Sequence, residues 1–244
     1  MNSIVQPQSR YPVLGFPVDL QSNYTKGLLT RFERDLGTHV VTLNAEMVMQ
    51  AEKNPELADI IYNAEFVIPD GAGIVLYFKL KGKPVRRCPG IELAQSLLSE
   101  IGTQGRSDSI IFYGGKPGIS QQAADQFKQQ FPSLNILAYH GYLDELETQK
   151  LQHSLQELQP RIILVGLGVP RQEFWIKTYR SLCPNAIWIG VGGSFDIWSG
   201  NKKRAPDWFC EHHLEWLYRL YQEPWRWRRM LVLPQFAIKA LISR

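Results

Sequence analysis

Residues 161–196, RIILVGLGVPRQEFWIKTYRSLCPNAIWIGVGGSFD, decide the fold. Arg161 to Val165 is apolar after its first residue, as in a strand covered on both faces. Gly166-Leu-Gly168-Val-Pro170 turns the chain, and a helical pattern continues to Leu182. Ala186 to Val191 is a second apolar run, ending in Gly192-Gly193-Ser194-Phe195-Asp196. Strand, glycine turn, helix and strand make a unit whose two strands run parallel.

The same rhythm extends outward. His39–Leu43, Glu65–Pro69, Ser109–Tyr113 and Asn135–Tyr139 read as further strands. Between them, helices are expected from Asn54-Pro55 to Asn63, from Asp70-Gly71 to Leu80, over Pro89–Ile101, from Gly118 to Phe131 and over Glu145–Leu158. Asn54 followed by Pro55 is a helix-start signal, because proline at the first helical position loses no needed N–H. The fold class is α/β: a Rossmann-like, mostly parallel sheet with helices on both faces. Tyr11–Leu20, with Gly15 and Pro17, reads as a small hairpin.

Composition narrows the class. The 244 residues are 44% hydrophobic and 20% charged, enough apolar surface for a core and too much for disorder. Cys88, Cys183 and Cys210 lie far apart with no CxxC pair, which disfavours a disulfide scaffold or a structural zinc and suits a reducing cytosol. No signal peptide is read at the start, and no apolar run reaches the roughly 18 residues of a spanning helix.

The net charge of +4 is unevenly placed. Residues 200–244 hold nine Lys/Arg and four acids, plus Trp208, Trp216, Trp225 and Trp227, so the whole positive excess sits there. A boundary near 200–206 separates a catalytic α/β domain, residues 1–199, from a basic amphipathic appendage, residues 200–244. In the appendage Cys210, Leu214, Leu217 and Tyr221 form one apolar helical stripe, stopped at Glu223-Pro224. Tryptophan and arginine at this density suit an anionic, partly apolar partner such as a membrane surface.

In an open parallel sheet, ligands bind beyond the carboxyl ends of the strands. Those ends carry Thr42 and Asn44, Asp70 with Gly71 and Gly73, Gly114-Gly115-Lys116-Pro117-Gly118, His140-Gly141-Tyr142, Gly166–Glu173 and Gly192–Asp196. Glycine turns at helix starts let a phosphate approach the backbone. Gly166-x-Gly168 lacks the third glycine of the dinucleotide fingerprint, and no GxxxxGK[ST] occurs. No DxD occurs either, so no metal–diphosphate bridge and no cofactor are expected. Cys210-Glu-His-His213 sits inside the amphipathic stripe and is disfavoured as a metal site.

Asp70 is the best candidate for acid–base work, with two glycines clearing space for a substrate; it equally suits the cap of the helix that follows. Thr42 and Asn44 also read as turn or cap residues, Glu173 as a capping or dipole partner, Tyr142 as a half-buried aromatic or a base-stacking platform, and Arg87 as a phosphate clamp or a solvated charge. Arg226 and Arg229, three apart, share one side of a helix. Two non-enzymatic classes compete: a peripheral membrane protein that binds a nucleotide-sugar without turnover, and a nucleic-acid binder using the Trp/Arg tail. The near-neutral body disfavours the latter.

The ordered set of motifs resembles the TagA/WecG/CpsF glycosyltransferase family. It comprises Thr42-Leu-Asn44-Ala-Glu46, Pro69-Asp70-Gly71-Ala-Gly73, Gly114-Gly115-Lys-Pro-Gly118, His140-Gly141-Tyr142, Gly168-Val-Pro170-Arg-Gln172-Glu173, Gly190-Val-Gly-Gly193-Ser-Phe-Asp196, Lys203-Arg204-Ala-Pro206 and Glu215-Trp-Leu-Tyr-Arg219-Leu. The resemblance implies transfer, with inversion and without metal, of N-acetylmannosamine or a related uronate from a UDP-sugar. The acceptor is N-acetylglucosamine on undecaprenyl diphosphate, at the inner face of the cell membrane, in teichoic-acid or related polysaccharide synthesis. It implies Asp70 as general base, Thr42 and Asn44 beside it, and Gln172 touching donor or acceptor. Tyr142 and Asp196 stand as uridine contacts, among the glycine turns at Gly115, Gly141, Gly168 and Gly193. Arg219, Arg226 and Arg229 belong to the closing appendage, and Arg87 in Arg87-Cys-Pro-Gly90 keeps the charge of a family segment whose small apolar pair is replaced. Apolar surface on the appendage leaves self-association open.

Overall fold

The computed structural model describes residues 9–83, 85–212 and 214–243. An antiparallel hairpin comes first, β1 (Ser9–Val13) and β2 (Phe16–Leu20), as the Gly15 signal indicated. Its two-residue turn places Leu14 and Gly15 at φ +48° and +92°, so glycine supplies the left-handed position at little cost. There follow α1 (Tyr24–Glu33), β3 (Thr38–Leu43), α2 (Ala45–Ala51), α3 (Pro55–Asn63), β4 (Phe66–Pro69), α4 (Ala72–Leu80) and α5 (Gly90–Thr103). The middle of the chain supplies β5 (Ser109–Gly114), α6 (Ile119–Gln130), β6 (Asn135–Tyr139), α7 (Glu145–Leu158), β7 (Ile162–Gly166), α8 (Arg171–Tyr179) and β8 (Ile187–Gly190). Helices α9 (Ser194–Trp198), α10 (Asp207–Glu211), α11 (Glu215–Gln222), α12 (Trp227–Met230) and α13 (Val232–Ile242) complete it.

Among the described residues β3 to β8 form one parallel sheet in the order β4-β3-β8-β7-β5-β6. The alternation along each strand explains the continuous apolar runs. Val40, Phe66, Ile68, Ile110, Phe112, Leu164 and Ile189 face one core with α1, α5, α6 and α9. Val41, Leu43 and Val67 face the opposite side with α2, α3 and α4, and Ile111, Ile163 and Trp188 meet α7 and α8 there. Burial of both sheet faces is the chief source of stability, at about 25 cal/mol per Å² of apolar surface.

Helices α1 and α2 have no counterpart in the sequence reading. Gly27 sits inside α1 and weakens its pattern; a side chain there would overlap Gln21. Helix α2 is short and buried nearly all round, so it shows no amphipathic period.

The C-terminal segment departs further from expectation. The stripe from Cys210 to Tyr221 is two helices, α10, whose C-cap is His212, and α11, whose N-cap is Leu214, and Tyr221 is largely exposed. Arg226 and Arg229 do not share a helix: Arg226 ends the 3₁₀ turn Pro224–Arg226, and Arg229 lies in α12. Helix α13 runs through Pro234, which falls in its first turn where no intrahelical N–H is required. Phe236 and Ala240 of α13 are buried against α2 and α4, so this helix belongs to the body's core, while Ile238, Leu241 and Ile242 point outward. Among the described residues no helix is long and apolar enough to cross a membrane.

Candidate active site

The parallel register brings Asp70 and Asn44 together. Leu43 pairs with Pro69, and the Asp70 N–H donates to the Leu43 carbonyl at 3.0 Å. Asn44 caps α2 by accepting from the Met47 N–H at 3.0 Å. Asp70 does not cap α4, whose N-cap is Gly71 with no side-chain bond. Its Oδ1 instead accepts the first N–H of α5, from Gly90 at 3.2 Å. The neighbouring glycines serve packing as well: a Cβ on Gly71 or Gly73 would stand 2.9 Å or 3.0 Å from the Cβ of Asn44 or Ala45, so both let α4 close on α2.

Arg87 and the C-terminal segment complete this end. The Arg87 Nε donates to the Asp70 carbonyl at 2.7 Å, and its Nη2 reaches Glu215 Oε2. The other Glu215 oxygen accepts from Arg219 Nη2 one turn along α11. Asp70 is half-buried, and its carboxyl is pushed up to about 6. Burial is the main cause; Arg87 and Arg219 oppose it, Glu215 reinforces it, and the Gly90 bond opposes it. Burial also raises Glu215, but Arg219 and Arg87 outweigh it and hold that carboxyl below the usual range. The Cys88 thiol, pushed up to about 12 by burial, stays neutral.

Thr42 and Gln172 lie beneath the loop after β8. Thr42 Oγ1 donates to the Gly190 carbonyl at 3.2 Å. Gln172 is only 1% exposed; its Oε1 accepts from the Gly192 N–H at 3.1 Å and its Nε2 donates to Glu173 Oε1 at 3.0 Å. Glu173 in turn bonds His39 Nε2 at 2.7 Å, a buried pair. A side chain on Gly190 would overlap Gln172 and Glu173. These groups shape the loop from below.

The glycine turns occupy the other half of the same edge. The Gly115 N–H donates to Gly166 at 3.2 Å and the Gly141 N–H to Gly115 at 2.8 Å, knitting three strand ends into one floor. Gly168 has φ +74° and Gly193 leads into α9. Asp196 accepts from Asn201 Nδ2 at 3.1 Å and faces Lys202 at 3.8 Å. Tyr142 is 67% exposed, rather than half-buried. With strands about 4.8 Å apart, Asp70 beyond β4 and Tyr142 beyond β6, at opposite edges of the sheet, stand on the order of 24 Å apart. The sheet edge thus has a charged end at β4 and β3 and a glycine end at β7, β5 and β6, with the loop after β8 between them.

Arg229 forks onto Glu46 through Nε at 2.7 Å and Nη2 at 3.1 Å, tying α12 to the start of α2. The side chain of Arg226 and all of His213 lie outside the described residues. His212 stacks on Trp208 and bonds its carbonyl. Among the described residues no cluster of three His, Cys, Asp or Glu is placed to hold a metal ion. Glu215 and Glu46 escaped the sequence reading as site residues. The signal for Glu215 was present as an acid four positions before Arg219 on one helix.

Comparison with known proteins agrees in direction. Residues 11–244 match the model of the glycosyl transferase WecG/TagA/CpsF family. A relative from Bacillus spizizenii is 38% identical over 214 residues, 87% of this chain and 82% of its own length. One from Bacillus subtilis is 35% identical over 211 residues, 86% and 81%. One from Staphylococcus aureus strain MW2 is 31% identical over 201 residues, 82% and 78%. All three carry the name N-acetylglucosaminyldiphosphoundecaprenol N-acetyl-beta-D-mannosaminyltransferase.

Proposed function

The chain belongs to the glycosyl transferase WecG/TagA/CpsF family, and from that premise we propose that it transfers N-acetylmannosamine from a UDP-sugar to N-acetylglucosamine on undecaprenyl diphosphate, building a cell-surface polymer. The observation that carries this reading is the half-buried Asp70 carboxyl at a strand end, flanked by Arg87 and Arg219.

The acceptor hydroxyl gives its proton to Asp70 as its oxygen bonds to the anomeric carbon. The bond from that carbon to the UDP oxygen breaks, and UDP leaves with the electron pair. A carboxyl titrating near 6 is ionised at neutral pH yet basic enough to share a proton in the transition state. The relatives' names specify a β product; from an α-linked UDP-sugar that is one displacement with inversion, which needs a base and no second nucleophile. Charge developing on the diphosphate falls to Arg87, Arg219 and backbone N–H groups of the glycine turns, in place of a divalent ion. Gln172 and Thr42 act as positioning residues through the Gly190–Gly193 loop. The glycine floor, with Tyr142 and Asp196 at its rim, takes the uridine.

The acceptor is a lipid, and the C-terminal segment suits a bilayer. Trp225, Trp227, Leu231, Ile238 and Leu241 are exposed beside its basic residues, and Leu76 and Leu80 extend the apolar surface onto α4. Each Lys or Arg near an anionic surface adds about 1 kcal/mol. The protein works on this reading at the inner membrane face, peripherally bound.

The test is a screen of UDP-sugars with a short-lipid N-acetylglucosamine diphosphate acceptor, with and without EDTA. Transfer from UDP-N-acetylmannosamine that survives EDTA is expected. UDP binding without turnover for any donor would reassign the chain as a nucleotide-sugar binder, and loss of turnover in EDTA would end the metal-free mechanism.

A further inference from the structure

Glu215 is 6% exposed on α11, a helix whose other side chains are wholly or partly open to solvent. A buried carboxylate is costly unless paired, and this one is paired twice. One oxygen takes Arg87, from the segment that packs against the end of β4; the other takes Arg219, from α11 itself. Arg87 reaches back through Nε to the carbonyl of Asp70 at 2.7 Å. A continuous polar chain therefore runs from the backbone of Asp70 through Arg87 and Glu215 to Arg219. Arg219 keeps 46% of its side chain exposed, turned partly to solvent while one end is held.

We propose that Glu215 is a positioning residue for glycosyl transfer: its carboxylate holds Arg87 and Arg219 as a pair beside Asp70 and fixes α11 over the acceptor end of the site. The inference rests on the transfer reaction proposed above and adds to it. Two guanidinium groups gathered by one carboxylate make a preorganised place for diphosphate charge, and an arginine left without its partner would have to be ordered during the reaction. Glu215 also sets the electrostatics of the base. The charged and titratable groups around Asp70 are Arg87 and Arg219, Glu215 and the neutral Cys88 thiol. Around Glu215 itself stand Cys210 and Arg204, the latter paired with Glu92 of α5. Removing the Glu215 charge takes away a group that raises Asp70 and releases two that lower it, so the acid limb must move down.

The experiment compares the full-length protein with its Glu215→Gln and Glu215→Asp variants in the transfer assay across pH 5–8, with circular dichroism as the folding control. Glu215→Gln is expected to lose at least tenfold in kcat and to shift the acid limb of the kcat profile to lower pH. Glu215→Asp, with the charge kept and the reach shortened, is expected to fall between the two in kcat with its acid limb near that of the wild type. A Glu215→Gln protein with wild-type kcat overturns the inference, and so does one whose kcat falls while the limb stays in place. If Glu215→Gln does not fold, Glu215→Asp decides: a wild-type kcat overturns the inference, a reduced one with an unmoved limb supports it. If the wild type itself does not transfer sugar, the proposed reaction fails instead, which separates the two.

Discussion

Replacing Asp70 with asparagine should stabilise the protein while removing the proposed base. The carboxyl is pushed from 3.8 up to about 6, chiefly by burial. The native state therefore holds this proton more tightly than the unfolded chain does. For an acid shifted this way, stability is highest below pH 4, falls as pH rises towards 6, and stays lowered above it. Two pH units correspond to about 3 kcal/mol at 1.36 per unit, and partial solvent access reduces that to roughly 2 kcal/mol. Asparagine keeps an oxygen to accept the Gly90 N–H. Thermal melts should place Asp70→Asn above the wild type by about 4 to 8 °C at pH 8, for a chain of this size, and bring the two together near pH 4. A lower melting temperature for the variant at pH 8, or a gain of equal size at both pH values, would refute the reasoning. A functional residue that costs stability is a familiar trade.

Arg87→Ala and Arg219→Ala each remove a group that lowers Asp70, so both should move the acid limb of the pH–rate profile upward, opposite to Glu215→Gln, and cost at least about tenfold in kcat/KM; steady-state kinetics across pH checks the sign. Gln172→Ala leaves the part-buried Gly192 N–H and the buried Glu173 short of partners and should cost about 1 to 3 kcal/mol in urea denaturation. Phe236→Ala should cost about 3 to 5 kcal/mol in the same assay, because α13 is part of the core between α2 and α4. A loss near zero would mean that the helix is only laid on the surface.

Much of the fold was legible because parallel strands buried on both faces read as largely apolar runs rather than alternating ones. The runs at 39–43, 109–113 and 161–165 announced themselves for that reason. The order β4-β3-β8-β7-β5-β6 was not legible, since nothing in a buried apolar run names its neighbour. The sequence marked Asp70, but its surroundings needed coordinates. The cap reading failed because Gly71 takes that place and the carboxylate turns to α5. The four-residue spacing of Glu215 and Arg219 carried a helical pair that went unread; that Arg87, 128 residues earlier, closes on the same carboxylate is a tertiary fact. The tail's composition suggested a detachable amphipathic piece, and Phe236 reads equally well as a membrane anchor or a core residue until α2 and α4 are seen beside it.

The most direct measurement is single-turnover transfer by wild type and Asp70→Asn at pH 7.5, alongside their affinities for UDP. A catalytic base is worth about 10² to 10⁴ in rate, so the variant should lose at least a hundredfold while binding UDP as before. Transfer within a few fold of the wild type would show that the proton goes elsewhere and that Asp70 only tethers α5.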